Sequence, residues 1–202
     1  MKKYNIFIAF FLPIIYFAQT YTPGTIYYGT DGFTEYHAGN MPLIISAPHG
    51  GYLIPTSIPD RNCIGCVTVK DSYTQELTLD LQAAIKAKTN CFPHVIINNL
   101  HRKKLDANRE IIEATDSNPS SYVYWEDYNN FIDSARINVI QKTTKGLFID
   151  IHGHGHTIQR LEIGYLFNTA SLQYFDSHLN TTSQVNKSSI KNLSNNNLSN
   201  IG

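Results

Sequence analysis

The sequence predicts an α/β fold, and three observations carry the prediction. Short apolar runs at residues 43–46, 94–97 and 147–151 have the length and β-branched content of buried strands. The stretches between them carry helical periodicity, and strands alternating with helices imply a largely parallel sheet. Each run is followed by polar residues, and the carboxyl ends of strands are where open α/β sheets bind ligands.

The elements follow in order. Lys2 and Lys3 precede an apolar run from Ile6 to Ala18, broken by Pro13 and ending at Gln19. That order reads as a secretory signal peptide over 1–19, because a spanning helix needs about 20 apolar residues. Export places the mature chain outside the cytoplasm, secreted or periplasmic, with no stable membrane span once the leader is removed. Residues 21–40 mix Gly, Thr and Tyr and read as an entry loop or an edge hairpin.

Leu43-Ile44-Ile45-Ser46 is the first strong strand, stopped by Ala47-Pro48-His49-Gly50-Gly51. Ser72 with Gln75 forms a capping box, and Leu77, Leu81 and Ile85 continue it as an amphipathic helix over 72–88. His94-Val95-Ile96-Ile97 is the second strand, and Tyr128, Ile132, Ala135 and Val139 then line one face of a second helix. Leu147-Phe148-Ile149-Asp150-Ile151 is the third strand, and residues 162–167 are a fourth candidate. The folded domain is expected over 20–179. Residues 180–202 are dominated by Asn and Ser and read as a weakly ordered tail, whose four glycosylation sequons, at Asn180, Asn186, Asn192 and Asn197, such a composition produces by chance.

Composition bounds the function. With 202 residues, 42% hydrophobic and 12% aromatic, the chain is long enough and apolar enough for one domain with its own core. Lys+Arg and Asp+Glu both total 16, so no strong field steers it to nucleic acid or an anionic membrane. In an oxidising compartment Cys63, Cys66 and Cys91 imply one disulfide and one thiol left over. Cys63-Ile-Gly-Cys66 follows a Pro-containing loop, which favours a structural pair over redox chemistry or a zinc knuckle.

The polar clusters at the strand ends suggest a metal. A catalytic zinc typically takes three His or carboxylate side chains and leaves one position for water. His49 and His152, after the first and third strands, supply two ligands. Asp71, ahead of the capped helix, is the leading third ligand, although a carboxylate there is also stabilised by the helix dipole; Glu76 is the reserve. Asp150 lies on the same strand face as His152, as a supporting partner or a buried acid. Arg109, beside Asn108, offers a fixed fork for a substrate carboxylate. His101, Arg102, Lys103 and Lys104 could form another anion site, although a short basic run more often reads as a solvated face.

Four motifs in this order resemble the N-formylglutamate amidohydrolase family, itself similar to the zinc carboxypeptidase and aspartoacylase group. They are Ser46-Ala47-Pro48-His49-Gly50-Gly51, Asp71 ahead of Thr74-Gln75-Glu76-Leu77, Leu105-Asp106-Ala107-Asn108-Arg109, and Asp150-Ile151-His152-Gly153-His154. The resemblance spans roughly residues 43–167. It implies a three-layer α/β hydrolase of the zinc-exopeptidase type, with a largely parallel or mixed sheet flanked by helices. It also implies Zn2+ on His49, His152 and an acidic ligand, and a substrate carboxylate on Asn108 and Arg109. The expected activity is metal-dependent hydrolysis of an amide bond in a small carboxylate-bearing or peptide-like substrate.

The chain departs from that pattern twice. Tyr52 stands where the carboxypeptidases carry the glutamate of His-x-x-Glu. The Gly-Gly-Tyr segment and the late Gln-x-Glu strand of longer relatives are not found, which makes the chain look C-terminally shortened. Glu162 is the nearest substitute for the general base. The alternative expectation is a catalytically impaired relative that binds metal and carboxylate.

Overall fold

The structure is a computed structural model that describes residues 20–158, 160–164, 166–168, 170–189 and 191. The predicted leader and the tail sites at Asn192 and Asn197 lie outside the described residues. The chain divides between His154 and Gly155 into two compact units.

The first unit is built on a five-stranded mixed sheet, β1 (Ile26–Tyr28), β2 (Thr34–His37), β3 (Leu43–Ala47), β4 (His94–Asn98) and β5 (Leu147–Asp150), in the order β1-β2-β4-β3-β5. β3 is parallel to both β4 and β5, whereas β2 is antiparallel to β4 and to β1. Residues 21–40 therefore do supply an edge hairpin. The helices are α1 (Thr74–Thr89), α2 (Ile111–Thr115) and α3 (Tyr122–Thr143).

Alternation along the strands makes two cores. Ile45 and Ala47 of β3 and Val95 and Ile97 of β4 point to one face, where Leu81 and Ile85 of α1 pack. Ile44 and Ile96 point to the other, where they meet Tyr128, Ala135 and Val139 of α3. Helices on both faces explain why all five residues of β4 are buried and why the run reads as continuously apolar.

Two expectations are corrected. The capping box does not form: α1 starts at Thr74, its N-cap is Tyr73 in the left-handed region at φ 64°, and no side chain caps it. Gln75 instead donates to the Asn98 carbonyl and to Asn99 Oδ1, tying the helix start to the end of β4. In the second unit, the described residues of 162–167 form no strand, and Leu166 takes φ 70°, which an extended chain excludes. Among the described residues that unit carries a 3-10 turn at Ser171–Gln173 and two short α-helices, α4 (Asp176–Leu179) and α5 (Thr182–Val185), the second of them within the predicted tail. Among the described residues no helix is long and apolar enough to cross a membrane.

Candidate metal centre

The connections place the histidines. From β3 the chain passes through α1 to β4 on one side, and from β4 it crosses through α3 to β5 on the other. The carboxyl ends of β3 and β5 are thus neighbours at a switch point of the sheet, the place where open α/β sheets bind ligands. Ser46 and Asp150 are register partners across them, so the segments bearing His49 and His152 emerge side by side. The turn after His49 is tight: a side chain on Gly51 would strike the backbone of Asn99 and Leu100, and one on Gly50 would lie 2.6 Å from Thr74 Oγ1. The Asp71 amide donates to the His49 carbonyl at 2.9 Å, which fixes the segment leading into α1 against the same turn.

Three ligand atoms meet there. His49 Nδ1 lies 3.2 Å from His152 Nδ1, and Asp71 Oδ2 lies 3.5 Å from the first and 3.4 Å from the second. A tetrahedral zinc with bonds of about 2.0–2.1 Å spaces its ligand atoms roughly 3.3–3.4 Å apart, so these sides match a shared cation. The donor set of two imidazoles and one carboxylate suits zinc and leaves a fourth position for water or substrate.

The outward ring atoms are also committed. His49 Nε2 lies 2.6 Å from Asp106 Oδ1, and His152 Nε2 lies 2.8 Å from Asp150 Oδ2. A carboxylate on the far nitrogen holds the proton there and turns the Nδ1 lone pair toward the centre. Asp106 is braced in turn by Arg102 Nε at 3.0 Å, and Asp150 accepts from Ser46 Oγ and from Asn108 Nδ2 at 2.8 Å. Asp71 Oδ2 takes the Gly153 amide at 3.0 Å, and Arg102 Nη1 approaches its other oxygen at 3.4 Å.

The electrostatics of the metal-free site follow. Burial opposes the charge on Asp71, but hydrogen bonds from His152, His49 and the Gly153 amide hold its carboxyl far below the usual range. Burial likewise opposes Asp106, yet the His49 hydrogen bond and the charges of His49 and Arg102 keep it at about 2. Hydrogen bonds to Asp150 and then to Asp71 push His152 up to about 9, so at neutral pH a proton occupies ground that a metal ion would take.

Of the residues singled out from the sequence, His49, Asp71, His152 and Asn108 come together, and Asp150 is a supporting carboxylate. Arg109 is exposed and pairs with Glu113 at 3.5 Å across one helical turn. Glu76 accepts from the Tyr52 hydroxyl at 2.8 Å instead of joining the ligand triangle. Glu162 belongs to the second unit, where it pairs with His156 and Arg160 at 2.9 and 2.8 Å.

Sequence reasoning named Asp106 only within a motif and Arg102 only within the basic run, and gave neither its role behind His49. The expected solvated run is corrected at two positions: Arg102 is largely covered beside two carboxylates, and Lys104 is buried, donating to the Ile58 carbonyl at 2.6 Å. A usable signal existed, because an Arg and an Asp four residues apart directly followed the second strand. No protein-family model matches the chain, and no match was found among curated proteins or solved structures.

Proposed function

We propose that this protein is a secreted or periplasmic zinc-dependent hydrolase of an amide bond in a small carboxylate-bearing substrate. In this reading it is similar to the N-formylglutamate amidohydrolases and shares their zinc-exopeptidase fold type. The observation that carries the proposal is the triangle of His49 Nδ1, His152 Nδ1 and Asp71 Oδ2, with sides of 3.2 to 3.5 Å and a carboxylate behind each imidazole. The apolar leader and the Cys63–Cys66 disulfide support export.

Zinc bound there would polarise the substrate carbonyl and acidify a water molecule. The chain's own residues do the remaining work. Asn108 stands at the rim, bonded to Asp150 and 3.1 Å from His152 Nε2, and offers its amide to substrate. Arg109 follows it with a guanidinium held only by an exposed ion pair, which a substrate carboxylate can displace. The resemblance also implies a carboxylate proton shuttle, for which Glu162 is the candidate that the sequence offers.

A second reading, binding without turnover, is favoured by one observation. Each carboxylate around the triangle is already engaged: Asp71 as ligand, Asp106 on His49 and Asp150 on His152. Without Glu162 the cluster lacks a proton shuttle, a group typically worth about 10²–10⁴-fold in rate.

The two readings separate in one set of measurements. Elemental analysis of the purified protein should give about one zinc per chain, falling sharply in His49→Ala and His152→Ala; unchanged metal content in both variants sinks the proposal. Hydrolysis of N-acyl amino acids that is abolished in Glu162→Gln, with zinc retained, establishes the hydrolase. Zinc binding with rates at least about 100-fold below those of an active amidohydrolase establishes the second reading.

A further inference from the structure

The loop from Ile58 to Val67 lies outside the ligand triangle, yet it places one buried cation behind it. The Arg61 side chain is 1% exposed, a costly position for a guanidinium unless its donors are used. Nη1 donates to the Arg102 carbonyl at 2.9 Å and to the Val67 carbonyl at 3.2 Å, and it lies 3.7 Å from Asp106 Oδ2. Nη2 contacts Cys63 Sγ at 3.8 Å, and the Arg61 amide donates to the Lys103 carbonyl at 2.7 Å. Arg61 thus touches both ends of the segment closed by the Cys63–Cys66 disulfide, and touches Asp106 with the same guanidinium.

We propose that Arg61 is a positioning residue for the metal ligand His49, acting through Asp106, and that the Cys63–Cys66 disulfide holds Arg61 in place. The inference rests on the metal reading of the triangle. Arg102 Nε donates to Asp106 Oδ2 at 3.0 Å and the Arg61 guanidinium lies 3.7 Å from the same oxygen, so both positive charges draw Oδ2 and Oδ1 is left for His49 Nε2. The division fixes the carboxylate plane, and with it the imidazole plane and the Nε2–H tautomer that frees Nδ1 for metal. The disulfide enters through Val67 and Cys63. Opening it frees the 63–66 segment, in which Ile64 is fully exposed, and slackens the Val67 carbonyl on which Arg61 rests.

The test is zinc affinity by chelator competition in the full mature chain. Arg61→Ala should lose about 10–100-fold, the scale of a lost supporting partner, and Arg61→Lys should recover part of it. Asp106→Asn should lose a similar factor, and adding Arg61→Ala to it should cost nothing more, because the effect passes through Asp106. Cys63→Ser/Cys66→Ser, which supplies no competing thiolate, should also weaken zinc. Unchanged affinity in Arg61→Ala or in the double-serine variant overturns the inference, as does full additivity with Asp106→Asn.

A second readout needs no metal. The imidazole 15N spectrum of the metal-free protein should show His49 as the Nε2–H tautomer, and Arg61→Lys should give a mixture of tautomers. An unmixed Nε2–H signal in Arg61→Lys overturns the inference even if Arg61→Ala fails to fold. Absence of zinc binding in the unsubstituted chain defeats the metal reading instead, and the tautomer spectra then decide the role of Arg61 by themselves.

Discussion

The two histidines of the triangle have the same partners on paper and very different surroundings. His49 is buried, and the Asp106 behind it is buried too, between Arg61 and Arg102. The His152 side chain is 40% exposed and follows β5, whose residues Leu147, Phe148 and Ile149 are themselves exposed. One half of the site is part of the core, and the other stands on the margin of the sheet. The same carboxylate–imidazole contact therefore carries fold stability on the first side and mainly orientation on the second.

Substituting the two supporting acids measures that difference directly. Asp106→Asn removes the charge facing two guanidiniums in a covered site and should cost the metal-free protein about 3–5 kcal/mol in urea denaturation, the range for breaking a buried ion pair. Asp150→Asn should cost at most about 1–2 kcal/mol of stability, the scale of one hydrogen bond, while weakening zinc about 10–100-fold. Equal stability losses in the two variants would erase the distinction.

Acid sharpens it with a third histidine. His94 is buried, has no carboxylate partner among the described residues, and its Nδ1 accepts from the Gly39 amide and the Tyr36 hydroxyl. Burial first, and then the charge of Lys142, push its pKa down to about 4. The unfolded chain takes up this proton near 6.5 and the folded chain does not. The stabilisation is complete above pH 6.5 and should drain away by roughly 3 kcal/mol as pH falls toward 4. His94→Gln should flatten that slope in denaturation curves recorded between pH 7 and 4, provided the variant folds; an unchanged slope refutes the assignment.

The smallest effect is expected at Arg109. Its pair with Glu113 is exposed on both sides, so Arg109→Lys should leave stability within about 0.5 kcal/mol. If Arg109 receives a carboxylate, the same change should still weaken carboxylate ligands measurably by calorimetry, because Lys lacks the fork. Equal affinity in the two proteins removes Arg109 from the site.

How much was legible in advance follows the same division. β3, β4 and β5 could be read because each is a short apolar run, and His49, Asp71 and His152 because they close such runs or precede a helix. Asp106 could not be weighted from the sequence, since a carboxylate in a loop acquires its meaning only when β3 and β4 lie side by side and bring His49 onto it. Arg61 was hidden for a similar reason: its partners, Val67, Arg102 and Asp106, are joined by a fold of the loop that no period announces. Asn108 and Arg109 are adjacent in sequence, but their side chains find separate partners that adjacency could not announce: Asn108 turns to Asp150, and Arg109 pairs with Glu113.

The margin position of β5 ties ligand binding to hydrogen exchange. Among the described residues β5, like β1 at the opposite edge, is hydrogen-bonded to a single neighbour, and an opening of β5 away from β3 carries His152 away from His49 and Asp71. On the proposed metal reading, an ion held by all three would clamp this strand to the core and suppress the opening by RT ln(1 + [L]/Kd), roughly 4 kcal/mol at a thousandfold excess over Kd. Protection factors for amides 147–151 should then rise steeply with free zinc, whereas amides that exchange through openings in which all three ligands stay together should not change, so exchange along β5 would report the occupancy of the site.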